Sequence, residues 1–417
     1  VAKRTDEKRV VLAYSGGLDT SVVTRWLTER GWEVVCMTAD MGYLEADEEL
    51  ESRAYAAGAV GFEMLDLRED FAQAFCFPAL MAGALYEGRY PLATALARPL
   101  IAKALVDVAR QHNATAVAHG CTGKGNDQVR FDVSVQALAP DLRILAPVRE
   151  WELTTRESEI VYAQAHSIPI TVSVEKQYST DENLWGRSIE AGPLEDPWTE
   201  PPDNVWEWTV NPEDAPDEPT YLEIGFEHGR PVSLDGEALD SVTLISRVHD
   251  VAGANGVGRI DMVEDRLVGI KSREVYEAPA ATTLRIAHQA LETLTLSKSQ
   301  IRLKHRLMQD YADLIYDGLW FTGTHQDLAA FTASMQRHVT GTSRVKLYKG
   351  QAVVVGVESP NSLYQYSLAT YDEGDVFDQT SAVGFIDIFG LPVRVQAEKQ
   401  LLRQPGGVLD VSSGHTS

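Results

Sequence analysis

In the stretch Val10-Val11-Leu12-Ala13-Tyr14-Ser15-Gly16-Gly17-Leu18-Asp19-Thr20-Ser21, an apolar, strand-forming run stops at Ser-Gly-Gly. Leu18, Val22 and Trp26, with Val23 and Leu27 beside them, then recur at helical spacing. The pattern predicts strand, glycine turn, helix. Four N–H groups at a helix start lack partners, and the helix dipole favours negative charge there, so this turn reads as an anion site. Glycine lets phosphate oxygens approach the backbone where a Cβ would obstruct them. Ser15, Thr20 and Ser21 add hydroxyl donors, and Asp19 is placed to help hold a magnesium ion. The spacing is not that of a Walker loop, which needs Gly-x-x-x-x-Gly-Lys-Ser/Thr. It also lacks the three glycines of a dinucleotide fingerprint.

Outward from this turn, strand-like and helix-like segments alternate to about residue 170. Strands are predicted over 34–37, 60–65, 114–118 and 144–146, and helices over 46–58, 97–109 and 127–138. Such alternation predicts a parallel sheet covered on both faces, which binds ligands outside the carboxyl ends of its strands. After about 171 the character changes. Residues 195–219 are loaded with Pro, Asp, Glu and Trp and read as an irregular connection. Trp198, Trp206 and Trp208 in it read as packing or interface residues, since no basic residues interleave with them. Beyond it, strand-like runs at 221–226, 242–245 and 351–357 mix with helical runs at 281–294 and 301–314, an α+β pattern. A helix is expected near 387–402, followed by a loosely held tail at 406–417.

The 417 residues suggest about two domains at roughly 150 residues each plus extensions. A net charge of −24 repels nucleic-acid backbones and suits small polar ligands held in a pocket. No apolar run reaches the roughly 18 residues of a membrane span. Residues 1–6 show no secretory hydrophobic region, and the start at Val1 fits processing or trimming. Three scattered cysteines, Cys36, Cys76 and Cys121, fit a reducing compartment and buried structural thiols. The ten histidines form no close pair suited to zinc.

A second polar segment is His119-Gly120-Cys121-Thr122-Gly123-Lys124-Gly125-Asn126-Asp127-Gln128-Val129-Arg130-Phe131. It follows the strand predicted at 114–118, so it lies on the same sheet edge as the first turn. Its glycines keep the backbone open to a ligand. Its side chains suit a zwitterion: Asp127 for an α-amino group, Arg130 or Thr122 for a carboxylate, Asn126 for either. His119 reads equally as structural or as a phosphate contact.

The first segment resembles the pyrophosphate loop, Ser-Gly-Gly-x-Asp-Ser/Thr, of the ATP pyrophosphatase superfamily. Together the two segments resemble argininosuccinate synthases, which carry Ala-Tyr-Ser-Gly-Gly-Leu-Asp-Thr-Ser and His-Gly-x-Thr-Gly-Lys-Gly-Asn-Asp-Gln-Val-Arg-Phe. Further agreement comes from Ala84-Leu85-Tyr86-Glu87-Gly88-Arg89-Tyr90, Leu96-Ala97-Arg98-Pro99 and Asp181-Glu182-Asn183-Leu184-Trp185. Gly256-Val257-Gly258-Arg259-Ile260-Asp261 and Lys271-Ser272-Arg273-Glu274-Val275-Tyr276-Glu277 extend the likeness, which spans about residues 9–390.

This resemblance implies an α/β nucleotide-binding domain over 1–171, an α+β synthetase domain over 172–386, and an oligomerising C-terminal helix and tail over 387–417. It implies that ATP is held by Ala13, Tyr14, Ser15, Gly16, Gly17, Leu18, Asp19, Thr20 and Ser21, with Ala39 and Gly120. Aspartate would be held by Thr122, Asn126 and Asp127. Citrulline would be held by Tyr90, Thr94, Asn126, Arg130, Ser179, Ser188, Glu264 and Tyr276. Where the family commonly has Thr-Ser, this chain has Thr94-Ala95, so any contact at Ala95 must come from backbone. Without the resemblance, Glu264 and Tyr276 read as surface or half-buried groups, and Ser179 and Ser188 as helix caps or turn residues.

The implied reaction joins L-citrulline and L-aspartate through a citrullyl-AMP intermediate, with ATP and Mg2+ as cofactors, ATP being split into AMP and pyrophosphate. Asp19, Asp127 and Arg130 are its expected catalytic groups. Arg130, Lys124 and Arg98 are equal candidates for offsetting phosphate charge, and Asp127 or phosphate for taking the amine proton. A cytoplasmic homotetramer is implied, with no nucleic-acid or membrane partner. The rival readings are another adenylyl ligase of the superfamily, a tRNA-modifying enzyme, an amidotransferase and a non-catalytic nucleotide sensor. A tRNA-modifying or sulfur-transferring enzyme needs a basic RNA surface or paired reactive cysteines, an amidotransferase a glutaminase domain, and a sensor predicts decay of the second loop; the sequence shows none of these.

Overall fold

The first strand, β1 (Arg9–Ala13), buries Val10 and Leu12 on one face and Val11 on the other. This period-two alternation with apolar residues on both sides marks a sheet covered on both faces. The computed structural model describes residues 8–43, 47–169 and 178–402. The expectations for residues 1–6, for a helix start at Ala46, for a boundary at 171/172 and for the tail at 406–417 fall outside them.

In chain order, α1 (Leu18–Glu29), β2 (Glu33–Asp40), α2 (Asp47–Ala57) and β3 (Gly61–Asp66) follow β1. The short helices α3 (Arg68–Phe71) and α4 (Phe77–Ala82) lead to the long α5 (Ala93–Gln111). Then come β4 (Ala116–Ala118), α6 (Asp127–Leu138), β5 (Arg143–Leu145) and α7 (Arg156–Ala165). The five strands pair in parallel in the order β3-β2-β1-β4-β5. Val22, Val23 and Leu27 of α1 cover one face, and Leu105, Val108, Phe131 and Val135 of α5 and α6 cover the other. The chain reverses its winding direction between β1 and β4, so the loops after these two strands face one crevice.

The next part holds two antiparallel sheets. β6 (Ser179–Asn183), β7 (Gly186–Glu190), β11 (Arg259–Asp265) and β12 (Lys271–Glu277) pair in the order β11-β12-β7-β6. β8 (Thr220–Glu227), β9 (Arg230–Leu234), β10 (Glu237–Ala238), β13 (Gly341–Tyr348) and β14 (Gln351–Glu358) form the other, in the order β10-β9-β8-β13-β14. Helices α8 (Ser241–Ala254), α9 (Pro279–Thr295), α10 (Lys298–Tyr316) and α11 (Gly323–Met335) complete this part. The strand expected at 242–245 is instead the start of α8. Val242 and Ile245 are β-branched, but Asp240 caps a helix by accepting from the Thr243 N–H at 2.9 Å. Leu244, Val248 and Ala252 then line one buried helical face.

Residues 195–219 are irregular apart from a short 3-10 turn, Asp203–Val205, and the end of another, Gly192–Glu195. The fully buried Glu277 carboxylate holds the segment, accepting from the backbone N–H groups of Glu207, Trp208 and Thr209 and from Arg187. Trp206 lies under Arg259 and Trp208 packs on Tyr43 and His249, whereas Trp198 is 94% exposed. Cys36 and Cys76 are buried and Cys121 half-buried, and all three are free thiols.

Contacts divide the chain into two units, Val1–Leu363 and Tyr364–Ser417. The second holds α12 (Tyr366–Ala369) and α13 (Gln379–Gln396), which runs on as a π turn through Leu401. Its long helix starts earlier than the expected 387. Asp378 caps it through the Thr380 N–H at 3.0 Å, a local signal upstream of the apolar run.

Candidate active site

The loop after β1 is built around Gly16, whose φ is +74° and whose added Cβ would lie 2.2 Å from Leu50 Cδ2. Both the left-handed conformation and the missing space require glycine. Gly17 is the N-cap of α1 and offers no capping side chain. The first-turn N–H groups therefore stay available to an anion. Ser15 and Gly17 are exposed, while Tyr14, Thr20 and Ser21 are buried. The Tyr14 hydroxyl meets Ser21 Oγ at 3.0 Å, and Ser15 Oγ meets Thr20 Oγ1 at 3.2 Å. Arg53 from α2 donates to the Gly16 carbonyl at 3.2 Å. Ala13 and Ala39, at the carboxyl ends of β1 and β2, are half-buried beside the loop.

Asp19 and Leu18 open α1. The Asp19 carboxyl lies within hydrogen-bonding reach of Glu159 in the first turn of α7. Glu159 is 8% exposed, and its Oε2 is buried without a donor among the described residues. Burial and the facing Asp19 push the Glu159 carboxyl up to about 8. Nothing in the sequence around Glu159 marked it, because the contact joins two helices far apart in the chain.

The loop after β4 closes on this first loop. A Cβ at Gly120 would lie 3.1 Å from Thr20 Cγ2. His119 is committed internally: Nδ1 accepts from the Cys121 N–H at 3.2 Å, so Nε2 carries the proton and donates to Asp132 at 2.8 Å. The alternative left open for His119 thus resolves to a structural role. Thr122, Gly123 and Lys124 are exposed.

Asp127 opens α6 and sits between two arginines. Arg98 Nε donates to Oδ2 at 2.9 Å, and Arg130 Nη1 to Oδ1 at 3.0 Å. Arg98 also pairs with Asp181 at 2.9 Å. Burial opposes the charge of Asp127, but Arg98 and Arg130 outweigh it and hold its pKa below the ordinary value. Arg130 is 3% exposed, donates through Nε to the Tyr316 carbonyl at 2.9 Å, and lies over the Tyr316 ring. This approach needs Gly318, whose φ is +77° and whose Cβ would lie 2.7 Å from Arg130 Cα.

A third group comes from the β11-β12-β7-β6 sheet and α5. Tyr276 pairs in register with Ser188, and Ser188 with Asp181, so these three share one face. Glu264 is 1% and Tyr276 2% exposed, more buried than either reads alone in the sequence. Ser179 and Ser188 lie in strands and cap no helix. Thr94 Oγ1 meets Ser188 Oγ at 3.3 Å, and the Thr94 N–H donates to Tyr90 Oη at 2.9 Å. The Tyr90 ring stacks on Tyr276. Asn183 and Trp185 donate to the Ala93 and Pro91 carbonyls, which fixes where α5 begins. Ala95 is wholly buried. Its carbonyl lacks the usual donor four residues on, because that residue is Pro99. Tyr316, absent from the sequence reading, joins the loops to this sheet. It accepts from Asn126 Nδ2 at 2.9 Å and donates to Glu264 Oε1 at 2.8 Å.

Comparison with known proteins matches this arrangement to one family. The family model described as "Arginosuccinate synthase N-terminal HUP domain" matches residues 9–169, and "Arginosuccinate synthase C-terminal domain" matches 178–396. The chain belongs to the argininosuccinate synthase family. An argininosuccinate synthase of Symbiobacterium thermophilum is 58% identical over 396 residues, 94% of this chain and 98% of that one. Those of Dehalococcoides mccartyi and Rubrobacter xylanophilus are both 56% identical, covering 94% and 93% of this chain and 97% and 94% of theirs. The family resemblance, the α/β fold with a parallel nucleotide-binding sheet, and the carbon–nitrogen ligase class are borne out. The adenylyl-ligase and tRNA-modifying alternatives are not favoured. Among the described residues no helix is long and apolar enough to cross a membrane.

Proposed function

We propose that this chain converts ATP, citrulline and aspartate into AMP, pyrophosphate and argininosuccinate, with each site residue in the role that the family resemblance implies. The observation that carries the reading is the meeting of the two loops at Gly120 and Thr20, with Asn126 and Arg130 tied through Tyr316 to Glu264 and Tyr276. On this reading, nucleotide-facing and amino-acid-facing residues border one site.

The ureido oxygen of citrulline is a poor leaving group. Its attack on the α-phosphate makes an AMP ester and releases pyrophosphate. The aspartate amine then attacks the activated carbon and expels AMP. The protein aligns the reactants and neutralises charge. Arg98 is occupied by Asp127 and Asp181, and Arg130 by Asp127 and the Tyr316 carbonyl. This favours the exposed Lys124 for offsetting phosphate charge. The lowered pKa of Asp127 favours phosphate as acceptor of the amine proton. Asp127 then acts as a fixed anion for the aspartate end of the site.

For Mg2+, no group of three or more His, Cys, Asp or Glu could hold a metal among the described residues. Mg2+ bound with phosphates commonly uses only one or two carboxylates. Asp19 and Glu159 fit that mode, since two facing carboxyl groups need a proton or a cation between them and one Glu159 oxygen has no donor. When bound, the ion would neutralise pyrophosphate charge.

Our reading further places the chain in the cytoplasm as a homotetramer. The divisions are 1–171 for nucleotide binding, 172–386 for synthesis, and 387–417 for assembly. The test supplies ATP, citrulline and aspartate, each omitted in turn, and measures pyrophosphate and argininosuccinate. Argininosuccinate should need all three. Pyrophosphate release without citrulline would overturn the reading.

A further inference from the structure

Three acidic side chains crowd one face of the β11-β12-β7-β6 sheet. Glu264 on β11, Glu274 on β12 and Glu190 on β7 share the face that carries Ser188 and Tyr276. One cation, Arg266, lies among them. It forms an ion pair with Glu190 and reaches Glu274 Oε1 at 3.4 Å. The Tyr276 hydroxyl lies between two carboxyl groups, 2.7 Å from Glu264 Oε2 and 3.0 Å from Glu274 Oε2. A phenol carries a single hydrogen, so it can donate to only one of them. If both carboxyls were ionised, the other contact would set lone pair against lone pair in a site where Glu274 is only 14% exposed.

The neighbouring bonds fix the direction of the rest. The Leu267 N–H donates to Asn126 Oδ1 at 2.9 Å, so Asn126 Nδ2 faces Tyr316 and donates to it. Tyr316 must then give its own hydrogen to Glu264 Oε1. Glu264 thus receives a phenol hydrogen on one oxygen and is placed to receive a second, from Tyr276, on the other. Glu274 has only a share of Arg266.

We propose that Glu274 keeps its proton near neutral pH and donates it to the Tyr276 hydroxyl oxygen. The chain Glu274→Tyr276→Glu264 then meets Asn126→Tyr316→Glu264 at a single anion. Burial, together with the charges of Glu264 and Glu190, pushes the Glu274 carboxyl up to about 8, against the opposing pull of Arg266 and the Tyr276 hydrogen bond. Glu274 is a positioning residue. It holds the Tyr276 hydrogen on Glu264 and keeps the ring seated on Tyr90, so the wall presents one negative charge to the ammonium end of a zwitterion. This consequence rests on the proposed citrulline site, whereas the proton itself does not.

The experiment compares the full-length protein with Glu274→Gln and Glu274→Ala. Infrared difference spectra at about pH 7, wild type minus each variant, should show a protonated carboxylic-acid band from Glu274, the Glu159 contribution being common to both and cancelling. Citrulline binding, measured by calorimetry, should weaken about tenfold in Glu274→Ala and be largely restored in Glu274→Gln, whose amide donates the same hydrogen bond. The wild-type affinity should change across about pH 8, where a second carboxylate forms, and the Glu274→Gln affinity should not. No carboxylic-acid band in the wild-type-minus-Gln difference spectrum, a Gln variant as weak as the Ala variant, or the same pH profile in wild type and Gln variant would overturn the proposal. If the citrulline assignment alone is wrong, citrulline will not bind the wild type, while the infrared band still disappears with Glu274.

Discussion

The ring of Tyr90 lies on the ring of Tyr276, with centroids 4.0 Å apart and planes 18° from parallel. Tyr90 precedes α5, and Tyr276 sits on β12 among residues far along the chain. Their stack, with the Thr94–Ser188 contact, joins the start of α5 to the antiparallel sheet as one wall. Aromatic pairs contribute about 0.5–1.5 kcal/mol beyond their buried area. Tyr90→Leu should therefore raise the KM for citrulline more than that for ATP. Equal changes in both would separate the stack from the citrulline site.

Gly16→Val should abolish ATP binding. The substitution forces a β-branched residue into a left-handed conformation, at a cost of about 1–2 kcal/mol, and drives its Cβ into Leu50. Equilibrium binding of a non-hydrolysable ATP analogue, with circular dichroism to check folding, measures this. Near-normal binding would rule out close approach of phosphate to this backbone.

Asp127→Ala should destabilise the fold by about 1–3 kcal/mol, because it removes the carboxylate that Arg98 and Arg130 share and leaves Arg98 with Asp181 and Arg130 with the Tyr316 carbonyl. Asp127→Asn keeps the shape and isolates the charge. In that variant we expect the aspartate KM to rise at least tenfold with the citrulline KM little changed. The opposite pattern would assign Asp127 to citrulline.

His119→Leu should lower stability by about 1–3 kcal/mol, since it leaves the Cys121 N–H and one oxygen of Asp132 without their partner. ATP affinity in the folded variant should stay near wild type. Burial opposes the charge of Asp132, but hydrogen bonds from His119 and Arg149 outweigh it, so its folded pKa lies below its unfolded one. That contribution is present above about pH 4 and is lost as the pH falls through the folded pKa. Chemical denaturation across the acid range should show a shallower loss in His119→Leu than in wild type. An unchanged acid slope would mean that His119 does not hold Asp132.

Deleting residues 379–417 should reduce the assembly state in light scattering. On α13, Phe385, Ile386, Ile388 and Phe389 are each at least 63% exposed. Burial of such a side chain in a partner contributes about 1.5–3 kcal/mol. An unchanged assembly after the deletion would place the interface elsewhere.

The sequence by itself determined the nucleotide half almost completely. Apolar strands, a glycine turn and helix spacing are local patterns, and a parallel sheet follows from their alternation. The loops 14–21 and 119–131 were legible because their chemistry lies on contiguous residues. The turn of 242–245 into helix was signalled only by Asp240, since the β-branched residues there favour a strand until a cap and a buried helical face override them. Tertiary structure alone decided the partnerships. Glu159 meets Asp19, Arg98 joins Asp127 to Asp181, and Tyr316 links Asn126 to Glu264 only because helices and strands distant in the chain pack together. It also decided what those residues can do. A carboxylate's charge depends on burial and on its neighbours, so Asp127 is held ionised by two arginines, while Glu159 and Glu274 are pushed towards keeping a proton. Residue type and spacing carry none of that, because the field at a side chain is set by atoms that the chain brings near only when folded.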